Sequence, residues 1–230
     1  MSLPNVEKES TGEFRGNSRL TARLLSPEEP LFVEWLLARQ KLVEDKGWNT
    51  PDGEYDRYDD NLRTKHLVLY DDTEKLIFGM RLTPVESYNQ TLSWEMVRPS
   101  NIHTQVELNG LIDPAQSVWD LTRLTPGNNV PYRVSNEAIP RLFGEGLRQC
   151  IAEGDDDPTW IFTLDEKMAH WLKRQEVDFI ELGQAALPGD TDASIFGSIK
   201  PAHLAELASR PHDGSKASDF AHRAMKDGEG

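Results

Sequence analysis

Two apolar segments of this chain carry charges where a buried strand is expected to be uniformly hydrophobic. The run Leu76-Ile77-Phe78-Gly79-Met80 ends on Arg81, and the run Val118-Trp119-Asp120-Leu121-Thr122-Arg123 carries a carboxylate and a guanidinium. Short apolar segments of this kind read as strands of an internal sheet, and a charge in a buried strand is normally paired or functional. The fold must therefore bring counter-charges to the sheet. A dense supply lies in Gly53-Glu54-Tyr55-Asp56-Arg57-Tyr58-Asp59-Asp60.

The frame around these segments alternates strands and helices, the pattern of an α/β fold. Residues 20–25 read as a first strand. Ser26-Pro27-Glu28-Glu29 supplies an N-cap, a proline for the first helical position and a glutamate at N3, so a helix is expected to start there. Its apolar residues Phe32, Trp35, Leu36, Leu42 and Val43 keep a helical period up to Gly47, a left-handed stop. Residues 48–64 have turn residues and carboxylates but no period, and read as a long ordered loop or a lid. Residues 66–70 and 76–82 form a hairpin around Asp71-Asp72-Thr73-Glu74. A helix over 135–153 follows the charged strand 117–124, then a strand at 159–163, a helix at 165–174 and strands at 177–182 and 194–199. Residues 1–16 read as a flexible lead-in, 17–209 as one domain and 210–230 as a disordered tail.

The 230 residues are enough to bury a substantial core, and no apolar run approaches the roughly 20 residues of a membrane-spanning helix. A net charge of −14 opposes broad binding to a phosphate backbone, so nucleic acid is not an expected partner. Cys150 is the single cysteine and cannot form an internal disulfide, and the six histidines lack metal-ligand spacing. No metal site is expected. The N-terminus has no basic region leading into an apolar stretch, which makes the cytoplasm the expected address.

Three readings suit the acidic segment. A calcium loop is disfavoured by Arg57 and by the missing alternation of acidic positions. A solvated acidic loop is the plain alternative. The functional one is a pocket for a cationic ligand, in which Trp48 offers a π-face and Asp56 and Asp59 offer counter-charge. Arg81 is then either an edge residue paired at the surface or the cation that holds Asp56 or Asp59 in place.

The order Gly47-Trp48, Glu54-Tyr55-Asp56-Arg57-Tyr58-Asp59, Met80-Arg81-Leu82-Thr83-Pro84 and Val118-Trp119-Asp120-Leu121-Thr122-Arg123 resembles the acyl-homoserine-lactone synthases. The resemblance extends over residues 20–200. It implies a GNAT-like fold, a mixed twisted sheet flanked by helices in three α-β-α layers. It also implies an acyltransferase that joins S-adenosylmethionine to an acyl group on acyl carrier protein, closes a lactone and releases methylthioadenosine, with no tightly bound cofactor. Trp48 resembles the tryptophan near the adenosylmethionine pocket, and Asp56, Asp59 and Arg81 resemble the family's acidic and basic cluster. Arg123 matches the arginine of the family's W-E-x-[ST]-R strand, and Asp120 stands where that strand usually has glutamate. Thr163 lies where some members place a threonine beside the acyl chain. In the family an arginine stands ten residues before the tryptophan. Here that position is Ala38, the arginine is Arg39, and the aromatic partner's position is Leu42.

Attack of an amine on a thioester needs a proton acceptor, donors for the developing oxyanion and a groove for the acyl arm. Asp120, directly or through a water, is the expected base, and backbone N–H groups near Arg123 and Leu124 serve the oxyanion if the strand bulges there. Arg141-Leu142-Phe143-Gly144-Glu145-Gly146 matches R-x-x-G-x-G, with which GNAT enzymes cradle coenzyme A. It falls inside the helical period of 139–151, where close packing is the favoured reading. Arg141, Arg148, Lys167, Lys173 and Arg174 are candidates for a basic patch facing an acidic carrier protein. A GNAT-type N-acyltransferase using acyl-CoA with another amine, and a silent ligand-binding relative, remain open beside the synthase.

Overall fold

Strand β2, Lys65–Tyr70, turns back as β3, Leu76–Val85, around Asp71. Its Oδ1 accepts from Thr73 N, Thr73 Oγ1 and Lys75 N at 2.9, 2.7 and 3.1 Å, which closes the expected hairpin. The computed structural model describes residues 19–46, 56–59, 61–97, 110, 112, 118–130, 132–185 and 194–226. The expected lead-in, Gly47 and Trp48 lie outside the described residues.

Seven strands form one mixed sheet in the order β1-β2-β3-β4-β5-β7-β6. The outer members are β1, Thr21–Leu25, and β6, Ile180–Ala185. Between them β4, Val118–Pro126, and β5, Thr159–Asp165, are the parallel pair, and β7, Ser194–Ile199, runs antiparallel to β5. A parallel neighbour needs a crossover, and helix α3, Tyr132–Ala152, provides it.

Side-chain alternation separates two faces. Leu67, Leu69, Met80, Leu82, Trp119 and Leu121 pack with Ile139, Leu142, Phe143 and Leu147 of α3. On the same side lie α4, Glu166–Arg174, α5, Ala202–Ala208, and α6, Lys216–Met225. The other face receives Phe32, Trp35 and Ala38 of α1, Pro30–Lys46, against Val68 and Leu76. Helix α2, Leu92–Val97, lies on that face too, with Tyr88, Val118, Ile161 and Phe196 beside it. The result is the expected three-layer α-β-α arrangement. Arg81, Asp120 and Thr122 fall on the α1–α2 face, because their strand neighbours Met80, Leu82, Trp119 and Leu121 are committed to α3.

Several expectations are corrected. Residues 210–230 are not a disordered tail throughout: Ser215 caps α6 by accepting from Ser218 N, and Phe220, Ala221 and Ala224 are buried in the α3 cluster. The apolar spacing of one short helix is easily lost in a polar segment. Helix α1 starts at Pro30 rather than at Ser26, since a residue before proline is pushed out of the helical region. Ser26 N still donates to Glu29 Oε1 at 2.9 Å, now within the preceding turn. Strand β6 starts at Ile180 rather than at Val177.

The Gly144–Gly146 pair lies well inside α3. A Cβ on Gly144 would stand 1.7 Å from Ala224 O, and one on Gly146 would meet Met80 Cε at 2.6 Å. These glycines permit close packing, and Arg141 donates to Leu20 O and pairs with Glu137.

Candidate active site

The site begins with the contact between α1 and β3. Gly79 gives Trp35 a bed: a Cβ there would come within 2.3 Å of the indole Nε1. One turn further along α1 stands Arg39, whose guanidinium lies 4.9 Å from the Trp35 ring centre. Both side chains are buried, Arg39 to 1% exposure.

The turn 56–59 brings the carboxylates. Asp56 N donates to Asp59 Oδ2 at 2.8 Å, and Asp59 N donates to Asp56 O at 2.9 Å. The three-residue spacing therefore builds a turn in which the two acids lock each other. Tyr58 lies between them, its ring 5.5 Å from the Arg81 guanidinium carbon.

Arginines take up the carboxylate oxygens. Arg39 forms a fork on Asp59, with Nη1 to Oδ1 and Nη2 to Oδ2 both at 3.0 Å. Arg81 Nη1 donates to Asp56 Oδ1 at 2.6 Å and to Asp59 Oδ1 at 2.8 Å, while its Nε donates to Thr122 Oγ1 at 3.0 Å. Arg123 Nη2 donates to Asp56 Oδ2 at 2.8 Å. Burial pushes the Asp56 carboxyl up, but Arg81 and Arg123 outweigh it and hold it at about 2. Asp59 is likewise pulled below the usual range by Arg39 and Arg81 against its burial. Burial lowers Arg39 to about 10, whereas Asp59 and Asp56 overcome burial at Arg81 and raise it. Three guanidiniums thus face two carboxylates. Arg81 Nη2, Arg39 Nε and Arg123 Nε are buried donors without a partner among the described residues.

Arg123 joins this group through a backbone irregularity. A regular strand would place it on the face opposite Thr122. Its φ is +56°, and the β3–β4 register slips between Gly79 and Arg81, which places an extra residue in β4 opposite Met80. This is the bulge the oxyanion argument requires, and it turns Arg123 back toward Asp56. Pairing of β4 with β5 ends at Leu121 opposite Phe162, so the strands part just as the bulge begins. The cleft that opens there is lined by Leu42, Val43, Leu92, Leu124, Thr163 and Met168 among others.

Asp120 is fully buried beside this cleft. Its Oδ2 accepts from Leu92 N at 2.7 Å and its Oδ1 from Ser93 Oγ at 2.6 Å, so it ties β4 to the first turn of α2. Burial pushes its carboxyl up to about 6. Ser93 lines the cleft and Asp120 does not. Thr163 Oγ1 donates to Ser93 O at 3.1 Å.

The structure therefore gathers Arg39, Asp56, Asp59, Arg81 and Arg123 in one network and places Leu42 and Thr163 on the adjoining cleft. Sequence reasoning missed Ser93, Thr122 and His66. His66 Nδ1 lies 3.8 Å from Asp59 Oδ1, edge-on to Phe32 and Trp35, and burial pushes it down to about 4. The alternation of 66–70 was the signal that put His66 on the α1 face. The basic residues considered for a carrier do not form one free patch: Arg148 pairs with Glu145 and Lys173 with Glu181.

No family model and no curated protein matches the sequence. Solved structures do match. FeeM, an N-acyl amino acid synthase from uncultured soil microbes, superposes with a TM-score of 0.58 at 14% identity, over 80% of this chain and 92% of that one. The AHL synthase LasI gives 0.57 at 14%, over 80% and 91%. MesI, a CoA-dependent acyl-homoserine lactone synthase, gives 0.54 at 14%, over 90% and 96%. The mixed seven-stranded sheet with helices on both faces is thus a GNAT-like fold, similar to that of these synthases.

Proposed function

We propose that the chain is an acyltransferase of the acyl-homoserine-lactone synthase type, taking S-adenosylmethionine as amine and an acyl thioester on acyl carrier protein or coenzyme A as donor. The observation that carries this reading is the network of three arginines on two aspartates at the mouth of the β4–β5 cleft. Asp56 and Asp59 are occupied by arginines, so they organise guanidiniums, and the spare donors of Arg81 and Arg123 suit the carboxylate of an amino-acid substrate. Trp48 is proposed for the adenosyl side of the pocket.

The acyl arm enters the cleft past Leu42 and Thr163, and its carbonyl meets the backbone N–H groups that the bulge frees at Arg123 and Leu124. The amine nitrogen attacks this carbon, and the carbon–sulfur bond of the thioester breaks to release the carrier sulfur as a thiolate, which then takes up the proton that Asp120 has received. The amine proton passes through Ser93 Oγ, which borders the cleft, to Asp120, whose carboxyl at about 6 suits a proton acceptor near neutral pH. The substrate carboxylate then attacks the carbon bearing the sulfonium, closing the lactone and releasing methylthioadenosine.

A second reading, amide formation on a different amino acid without lactone closure, is favoured by the similarity to FeeM, whose TM-score of 0.58 matches the 0.57 of LasI. Purified protein incubated with adenosylmethionine or free amino acids and a panel of acyl-CoA and acyl carrier thioesters decides. Lactone with methylthioadenosine supports the first reading, an acyl amino acid without methylthioadenosine the second. Thiol release with neither amine above the uncatalysed rate overturns both.

A further inference from the structure

The β4–β5 cleft is lined largely by apolar side chains, and its hydroxyls are accounted for with one exception. Thr163 Oγ1 donates to Ser93 O, Thr125 Oγ1 to Arg123 O and Ser93 Oγ to Asp120, while Thr122 Oγ1 accepts from Arg81. Ser194 Oγ has no partner among the described residues, although Ser194 lines the cleft and is only 1% exposed. Native structures leave few buried hydroxyls unpaired, and in a ligand channel such a group is a recognition element in waiting.

Its position selects the part of a ligand it would read. Ser194 opens β7 and lies in register with Asp165 of β5, on the side of β5 away from β4. Two strand spacings, roughly 10 Å, are the least that separates β7 from the bulge where the reacting carbonyl is proposed to sit, since β4 and β5 have parted there. The arginine network lies on the opposite side, on α1, β3 and β4. Leu164 and Met168 border the same end of the cleft. A group reaching Ser194 therefore belongs to the acyl arm, and to its distal part.

We infer that Ser194 is a specificity-determining residue that hydrogen-bonds an oxygen carried on the acyl chain beyond the carbons adjacent to the thioester, so that the acyl group this protein takes is a distally oxygenated one. The inference rests on reading the cleft as an acyl channel.

The test measures calorimetric binding of acyl-pantetheine thioesters, the arm common to both carriers, to wild type and to Ser194→Ala. The set compares a saturated chain with chains of equal length whose hydroxyl is moved stepwise outward. Wild type is expected to bind one distal isomer about tenfold more tightly than the saturated chain, and Ser194→Ala to bring that ratio to about one without weakening the saturated chain. A wild-type ratio within about twofold at every position, or a ratio that survives Ser194→Ala, overturns the inference. The same thioesters are assayed for turnover with adenosylmethionine and with free amino acids. Lactone formation without any hydroxyl preference removes the Ser194 assignment and keeps the proposed function. A preference in binding without acyl transfer to any amine does the reverse, and failure to bind every acyl arm removes both.

Discussion

A single nitrogen of Arg81 serves both acids of the site: Nη1 donates to Asp56 Oδ1 at 2.6 Å and to Asp59 Oδ1 at 2.8 Å. One strand residue thus closes the 56–59 turn onto the sheet. Truncation leaves Asp59 hydrogen-bonded to Arg39 and Asp56 to Arg123, so each buried carboxylate loses one charge-assisted hydrogen bond. Arg81→Ala is expected to destabilise the protein by about 3–5 kcal/mol in chemical denaturation, and adding Asp59→Asn should deepen that loss, because Arg39 then loses its carboxylate partner. A loss of about 0.5 kcal/mol or less, the size of a surface effect, would show that the network is not integral to the fold.

Arg123 combines an ion pair with a left-handed backbone. Replacing it by glycine or by alanine removes the bond to Asp56, but only alanine retains the strain of φ +56°. Arg123→Gly should therefore be more stable than Arg123→Ala by about 1 kcal/mol. Equal stabilities would mean that the bulge relaxes once the guanidinium is gone.

Two buried groups titrate against each other. His66 is held at about 4 against 6.5 when exposed, so its contribution to stability is complete above pH 6.5 and is lost as the pH falls toward 4. Asp120 is raised to about 6 from 3.8, so its contribution is complete below pH 3.8 and is lost as the pH rises through 6. Wild-type stability is expected to change little between these limits. His66→Phe, which keeps a ring between Phe32 and Trp35, should grow more stable as the pH falls from 6 to 4. A variant whose pH profile runs parallel to wild type would sink this account. Asp56, held at about 2 against 3.8, adds a loss of stability as the pH falls from 3.8 to 2.

The proposed proton path makes Ser93 and Asp120 one unit. Asp120→Asn should lower kcat by roughly 10²- to 10⁴-fold while adenosylmethionine still binds. Ser93→Ala should cost a similar factor, and the double variant little more than either alone. Full activity in Asp120→Asn would take this carboxylate out of the chemistry and leave it as the tie between β4 and α2.

Helix α6 depends on the bare backbone of Gly144, since a Cβ there meets Ala224 O at 1.7 Å. Gly144→Ala is expected to lift α6 off α3 at a cost of about 1–3 kcal/mol, seen as faster amide exchange over Lys216–Met225. Unchanged protection of that helix would contradict the packing role.

The sequence by itself determined which residues carry charge into the sheet. Arg81, Asp120 and Arg123 interrupt apolar runs, and Asp56 and Asp59 stand at a spacing that closes a turn. Those are local facts, set by composition and by periods of two and three residues, and they made the hairpin and the charged strand legible. Tertiary structure decided which charges meet. Arg39 joins the site because Trp35 settles over Gly79, and Arg123 joins it because a bulge reverses its face, which strand alternation cannot foresee. Ser93 carries no signal until α2 covers it, and alternation puts His66 on the α1 face without telling that Asp59 will lie beside it. The C-terminal helix was invisible for the same reason: a short amphipathic segment is stabilised by the surface it docks on, and that surface exists only once α3 is in place.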